Sequence, residues 1–172
     1  MADAPATDAL GRALAMAIQT HLDTIRARGV QLNLTGDLGA GKTSLVRAML
    51  RALNVTGPVK SPTFALLEPY AVSNLDFYHF DFYRLKSASE FSDTGFRDLF
   101  GPGRICAVEW PEKAEPRLPT ADISIALTVD GDGRRATIST KGELGEACVR
   151  HAMANLHDSG GASSPPAPAR SS

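Results

Sequence analysis

The chain has 172 residues, 43% of them hydrophobic and 22% charged, which is typical of a single globular domain. Its formal net charge of −1 at pH 7 excludes a protein that binds RNA or DNA through an overall positive electrostatic field. We therefore expect another subunit to bind any nucleic acid involved. No stretch approaches the roughly 18 apolar residues of a membrane span, and the N-terminus lacks the basic start and apolar core of a signal peptide, so we expect a cytoplasmic protein without membrane contact.

The first third of the chain predicts a helix, a strand and a second helix. Residues 8–28 carry apolar side chains at helical spacing and predict the first helix. Residues 30–34 predict a strand, a glycine-rich loop follows it, and residues 42–53 predict the second helix. This order of strand, glycine loop and helix is the context that a phosphate-binding loop needs.

The rest of the chain predicts mostly β-structure. Residues 64–70 and 75–85 predict two strands that pair antiparallel across a short turn. The apolar run 105–108 predicts a buried strand. Strands over 123–129 and 134–140 flank Asp-Gly-Asp-Gly, which is typical of a hairpin. The remaining predictions are an irregular loop over 57–63, helix and loop over 87–100, a last helix over 143–156 and a disordered tail over 158–172.

Together these elements predict an α/β fold of the P-loop NTPase type, with three layers. The sheet is expected to be mixed but mainly parallel, with an antiparallel hairpin and flanking helices, and its strand order stays open. We expect one domain over residues 1–157, followed by the tail.

Residues 36–43 match the phosphate-binding pattern G-x-x-x-x-G-K-[ST] in full. The glycines let successive N–H groups point at phosphate oxygens, and the start of the following helix favours the same anion. Lys42 supplies charge for the outer phosphates, and the Thr43 hydroxyl is a candidate magnesium ligand. We therefore expect ATP or ADP with Mg²⁺. The loop residues expected to bind the nucleotide are Asp37, Leu38, Gly39, Ala40, Gly41, Lys42, Thr43 and Ser44.

Two acidic residues are candidates for the metal side of this site. Glu109 closes the apolar run 105–108, and Asp81 lies in an aromatic-rich strand; an ordinary strand-end acid in solvent is the alternative for each. His79 lies between two aromatic residues and is expected to be packed and hydrogen-bonded rather than a catalytic base. Trp110 belongs either to the core or to the wall of the nucleotide pocket, and both interpretations stay open.

The sequence as a whole resembles the TsaE family, formerly called YjeE. The members of this family are ATPases of tRNA threonylcarbamoyladenosine biosynthesis. The resemblance covers about residues 7–140. It rests on four segments in matching order and spacing, namely the loop 36–43, Lys-Ser-Pro-Thr-Phe at 60–64, His-Phe-Asp-Phe-Tyr-Arg at 79–84 and Glu-Trp-Pro-Glu at 109–112.

The resemblance implies an ATPase subunit that docks on TsaD and TsaB and supports their transfer of a threonylcarbamoyl group to the adenosine beside the anticodon. The tRNA is touched only through that complex. The resemblance implies that Lys42 contacts phosphate and that Thr43 and Glu109 bind magnesium. It implies that Thr63 responds to the third phosphate and that Asp81 acts in hydrolysis, through metal or water. The residues implied to contact the base are Thr7, Trp110 and Arg134.

The residues predict slow hydrolysis by the chain alone, since no arginine is clearly placed to stabilise the transferred phosphoryl group, although Arg84 is a candidate. A small-molecule kinase with the same loop is one alternative, in which Arg97 and Arg104 would close over the phosphates as a lid. A nucleotide-gated adaptor without useful hydrolysis is another alternative.

Overall fold

The structure, a computed structural model, describes residues 4–160. The helices are α1 (Ala4–Thr20), α2 (Leu22–Arg28), α3 (Lys42–Ala52), α4 (Ala88–Asp93) and α5 (Gly142–Gly160), with short 3₁₀ helices at Phe96–Leu99 and Pro111–Lys113. The strands are β1 (Val30–Thr35), β2 (Leu67–Val72), β3 (Leu75–Asp81), β4 (Arg104–Glu109), β5 (Ile123–Asp130) and β6 (Gly133–Thr140). None of these helices combines the length and apolar character needed to cross a membrane.

All six strands form one sheet in the order β2-β3-β4-β1-β5-β6. The four central strands run parallel, while β2 and β6 pair antiparallel with their neighbours at the two edges. This confirms the predicted mixed, mainly parallel sheet and the hairpin over 123–140. Leu34 of β1 and Asp81 of β3 both lie opposite Glu109, so the carboxyl ends of three parallel strands meet at one edge of the sheet.

Helices cover both faces of the sheet, which confirms the three-layer α/β fold. On one face, α1, α3 and α5 bury side chains such as Leu14, Met49 and Cys148 in a core shared with β1 and β5. On the other face, α4 and the short 3₁₀ helices enclose a smaller aromatic core around Phe80 and Phe91.

The helix predicted over 8–28 is wrong as a single element, because the chain turns at His21 between α1 and α2. The Thr20 hydroxyl donates to the carbonyl oxygen of Met16 at 3.0 Å, a back-bond that bends helices. The His21 amide N–H is then shared between the carbonyl oxygens of Ala17 and Ile18 at 3.2 and 3.1 Å. Residue 29 ends α2, where the sequence predicts a helix stop.

The predicted antiparallel pair is present, but both of its strands are displaced. The first strand is Leu67–Val72 rather than 64–70, because a turn closes from the Leu66 amide N–H to the carbonyl oxygen of Pro62 at 2.7 Å. The second strand stops at Asp81 rather than 85, where the Asp81 carboxylate accepts a hydrogen bond from the Tyr83 amide N–H at 3.0 Å and turns the chain. At the other end of the chain, α5 continues to Gly160, and residues 161–172 of the predicted tail lie outside the described residues.

Candidate nucleotide site

The glycine-rich loop lies between β1 and α3, at the carboxyl edge of the sheet. Gly36 has φ of 135°, and a Cβ added there would lie 2.3 Å from the carbonyl oxygen of Leu127, so no side chain fits. Gly41 has φ of 106° and forms the N-terminal cap of α3 in the left-handed conformation. The sequence thus places the unpaired N–H groups of α3 behind a loop that only glycine can form, which is the arrangement of an anion site.

The Lys42 side chain is buried within this loop, with 4% of the residue exposed. Its ammonium Nζ donates to the carbonyl oxygens of Gly36 and Asp37 at 2.5 and 2.9 Å, and it lies 4.2 Å from the centroid of the Trp110 ring. Burial lowers the pKa of Lys42 below its ordinary value, while the nearby carboxylate of Glu109 opposes that shift. The loop therefore holds a cation at its centre.

Glu109 ends β4 beside this lysine and is 3% exposed. Its Oε1 atom accepts a hydrogen bond from the Thr43 hydroxyl at 2.8 Å and contacts Nε2 of His79, also at 2.8 Å. A hydroxyl and a carboxylate are hard oxygen ligands of the kind that Mg²⁺ takes, with its other positions filled by water and phosphate. Thr43 and Glu109 thus fit a magnesium site.

Asp81 ends β3 and is 3% exposed. Its Oδ2 atom accepts hydrogen bonds from the hydroxyls of Ser61 and Thr63 at 2.5 and 3.1 Å, and the two hydroxyls are 2.9 Å apart. The loop that precedes β2 is therefore tied to the end of β3. The structure brings Thr63 and Asp81 together, while their roles stay predictions.

Two neighbouring cavities open beside these groups. The smaller, of about 310 Å³, is lined by loop residues Leu38, Gly39, Gly41, Lys42, Thr43 and Ser44, together with Ser61, Thr63, Asp81, Tyr83, Glu109, Trp110 and Arg134. The larger, of about 850 Å³, is lined by residues of α1, α3 and the β5–β6 turn, among them Thr7, Ser44, Val129 and Arg134. We call them the phosphate-side cavity and the α1–α3 cavity. Their size and their shared wall suit an elongated ligand with an anionic end.

A known protein family matches most of the chain. The family described as "Threonylcarbamoyl adenosine biosynthesis protein TsaE" matches residues 1–137. The chain belongs to the TsaE family.

Individual relatives place the chain in the same group. The "tRNA threonylcarbamoyladenosine biosynthesis protein TsaE" of Haemophilus influenzae is 41% identical over 122 residues, covering 71% of this chain and 77% of that protein. The protein of the same name from Treponema pallidum is 40% identical over 117 residues, covering 67% and 85%. The crystal structure of Bacillus subtilis YdiB superimposes with a TM-score of 0.66 at 27% identity over 92% of this chain and 93% of that chain. As a TsaE family member, the chain takes part in tRNA threonylcarbamoyladenosine biosynthesis.

Most residues predicted for nucleotide binding in this TsaE chain lie at the two cavities. Asp37 contributes its carbonyl oxygen to Lys42, and Ala40 is buried beneath the loop. Thr7 and Arg134 share the α1–α3 cavity. Trp110 lines the phosphate-side cavity rather than the α1–α3 cavity, and its contact with the base stays a prediction. Its indole contacts Nζ of Lys42 and the tilted ring of Tyr83, because the chain turns sharply at the end of β4.

Two residues at the site were not predicted to act in it. Ser61 bonds Asp81 more closely than Thr63 does, and His79 contacts Glu109. Both lie two residues before a predicted site residue, inside the segments that resemble TsaE proteins. His79 lies on β3 two residues before Asp81, and because spacing of two along a strand puts side chains on the same face, that signal could have indicated His79. Ser61 lies in the loop before β2, where no strand pattern indicates it.

Proposed function

We propose that this chain binds ATP with magnesium, hydrolyses it slowly by itself, and so supports threonylcarbamoyl transfer to the adenosine beside the anticodon, with TsaB and TsaD as its partners. The observation that carries the proposal is the convergence of Lys42, Thr43, Glu109 and Asp81 on one cavity behind the glycine-rich loop. The tRNA is reached only through the partner complex.

The residues of the loop bind and neutralise the phosphates. Lys42 and the N–H groups at the start of α3 contact the phosphate oxygens, and Thr43 and Glu109 would hold magnesium. When bound, magnesium neutralises charge that builds on the transferred phosphoryl group. Lys42 adds a second positive charge from a side chain that is almost fully buried.

Asp81 orients the attacking water. Its carboxylate is fixed by the hydroxyls of Ser61 and Thr63, which limits the directions in which it can accept a proton or a hydrogen bond. Thr63 lies in the wall of the same cavity, so a phosphate bound there can compete for its hydroxyl.

The position of Arg84, the arginine proposed from sequence to stabilise phosphoryl transfer, supports slow hydrolysis by the chain alone. Its guanidinium Cζ is 4.1 Å from the centroid of the Phe64 ring, and Arg84 does not line the phosphate-side cavity. An arginine that stabilises phosphoryl transfer is worth on the order of 10³ to 10⁵ in rate. A partner that supplies or repositions such a group would therefore control the rate.

The positions of Arg97 and Arg104 disfavour the small-molecule kinase. Arg104 begins β4, so it lies about 17 Å along the strand from Glu109 at the opposite end. The two guanidinium groups donate to the backbone carbonyl oxygens of Arg117 and Asp98, at 2.6 and 2.8 Å. Neither arginine borders the phosphate-side cavity as a lid would.

Phosphate release from ATP, measured with the purified chain alone and with the matching TsaB and TsaD proteins, tests the proposal. We expect slow release alone, strong stimulation by the pair and neither in Lys42→Ala. Lack of stimulation, with phosphate passing instead to an added metabolite, would support the kinase. Asp81→Ala distinguishes the ATPase from the nucleotide-gated adaptor. An adaptor variant that has lost ATP hydrolysis should still support tRNA modification, whereas an ATPase variant should not.

A further inference from the structure

We propose that His79 is a positioning residue of the magnesium site, which holds Glu109 so that the free oxygen of its carboxylate faces the phosphate-side cavity. This inference rests on the proposed function, because that function assigns the magnesium site to Thr43 and Glu109. It adds a third side chain, from a different strand, that acts on the metal through Glu109.

The bond between the two side chains is short and fully buried. His79 lies in β3 with 0% of its surface exposed, and β3 runs parallel to β4, which ends at Glu109. Nε2 of His79 is 2.8 Å from Oε1 of Glu109. A carboxylate only accepts hydrogen bonds, so Nε2 carries the proton and donates it.

Among residues 4–160, this bond is the only polar contact of the imidazole ring. Within residues 4–160 the other ring nitrogen, Nδ1, has no hydrogen-bond partner. Burying a polar ring is costly, and an apolar side chain of similar size would fill this space without that cost. The bond to Glu109 is therefore the one interaction that histidine makes here and leucine would not.

The carboxylate of Glu109 is held through one of its two oxygens. The hydrogen bonds from Thr43 and from His79 both end on Oε1, which leaves the lone pairs of Oε2 for the cavity that Glu109 lines. If the Thr43 hydroxyl turns to a metal ion, His79 is the remaining donor that keeps Glu109 in place. Groups that orient a ligand in this way typically change metal affinity or activity by about 10- to 100-fold when they are replaced.

Three substitutions separate positioning from packing. In His79→Gln the amide nitrogen can reach about as far as Nε2 and can donate to Glu109. In His79→Asn the side chain is one carbon shorter, so the residue stays polar but the donor is withdrawn. His79→Leu keeps the volume without a donor. Phe77→Leu is the matched control, because Phe77 is fully buried two residues earlier on the same face of β3 and its ring contacts Tyr70.

The measurement is binding of Mn²⁺, as a paramagnetic substitute for Mg²⁺, to the full chain saturated with ADP, followed by electron paramagnetic resonance. ADP affinity in EDTA and the melting temperature are measured for each variant in parallel. We expect His79→Asn and His79→Leu to weaken Mn²⁺ binding about 10- to 100-fold, with ADP affinity in EDTA little changed. His79→Gln should restore most of the affinity, and Phe77→Leu should lower the melting temperature without weakening Mn²⁺ binding.

If His79→Asn and His79→Leu fold and bind Mn²⁺ as tightly as the unaltered chain, this inference is wrong and the proposed function is unaffected. The same holds for an equal loss in His79→Gln and His79→Leu, since the donor would then not matter. If the unaltered chain with ADP binds no Mn²⁺, both the inference and the magnesium site of the proposed function are wrong.

Discussion

Trp110 contacts the buried lysine of the glycine-rich loop from a strained backbone turn. Its backbone lies in the left-handed region, with φ of 57°, a conformation that is costly for a bulky residue and is concentrated at functional sites. This turn, directly after Glu109, places the indole 4.2 Å from Nζ of Lys42 and 5.0 Å from the ring of Tyr83. A ligand that attracts the ammonium group must therefore change the surroundings of the indole.

We predict that ATP binding changes the fluorescence of the chain, since Trp110 is its single tryptophan. A cation over an indole ring contributes about 0.5–2 kcal/mol, so phosphate binding competes with that contact and alters the emission. Titration with ATP and Mg²⁺ should give a saturable change in the unaltered chain. Lys42→Ala is the control and should show little change at the same concentrations; an equal response in that variant would show that the signal does not come from this contact.

Cys106 and Cys148 are predicted to be unreactive in the folded chain. Burial raises the pKa of Cys106 to about 12 and that of Cys148 to about 11. An unfolded thiol ionises near about 8.5, so the folded state gains stability from the neutral thiols below that pH and loses it as the pH rises towards 11–12. A disulfide reagent at pH 8 should label two thiols at once in denaturant and react far more slowly with the native chain. Equally fast labelling of the native chain would contradict the burial of both thiols.

At the residue scale the linear motifs are predictable from sequence and the cross-strand partners are not. The loop 36–43 is local, so the positions of Lys42 and Thr43 follow from its pattern. Glu109 is predictable because it ends an apolar strand. That His79 reaches Glu109 depends on which strand lies beside β4, and no local pattern shows that.

At the element scale, α5 is part of the core although the matched family region ends at residue 137. Leu144, Cys148 and Ala152 on one face of α5 are buried against α1 and the sheet. Gly145 lies so close to the strand side that an added Cβ would be 2.1 Å from the carbonyl oxygen of Asp122. The helix is therefore closely docked.

We predict that Leu144→Ala destabilises the chain by about 2–5 kcal/mol, the usual cost of removing a buried leucine side chain. Met153 lies on the same helix with 39% of its surface exposed, so Met153→Ala should change the free energy of unfolding by only about 0.5 kcal/mol or less. Urea unfolding of the two variants measures both values. Similar small effects would mean that α5 does not contribute to the core.

The elements themselves were mostly predictable from apolar patterning, and their ends were not. The errors at His21, at residues 64–66 and after Asp81 share one cause. In each case a hydrogen bond from or to a nearby backbone group replaces the regular pattern, and such bonds depend on local geometry rather than on periodicity.

At the scale of the whole molecule, the site exists because three parallel strands end together. Asp81, Glu109 and the loop after β1 are far apart in sequence, and the strand order β3-β4-β1 makes them neighbours. The mixed sheet was predicted, but its order was left open, because apolar runs show that strands are buried without showing which strands are adjacent. The proximity of these side chains is thus the main finding that only the structure supplies.

Isothermal titration of the full chain with ATP and Mg²⁺ tests the central claim of this account most directly. We predict one nucleotide per chain, with binding weakened roughly 10- to 100-fold in Lys42→Ala, since a charged hydrogen bond contributes about 1.5–3 kcal/mol. If the unaltered chain binds no nucleotide, or if Lys42→Ala binds it equally well, the cavity behind the glycine-rich loop is not the site of ATP.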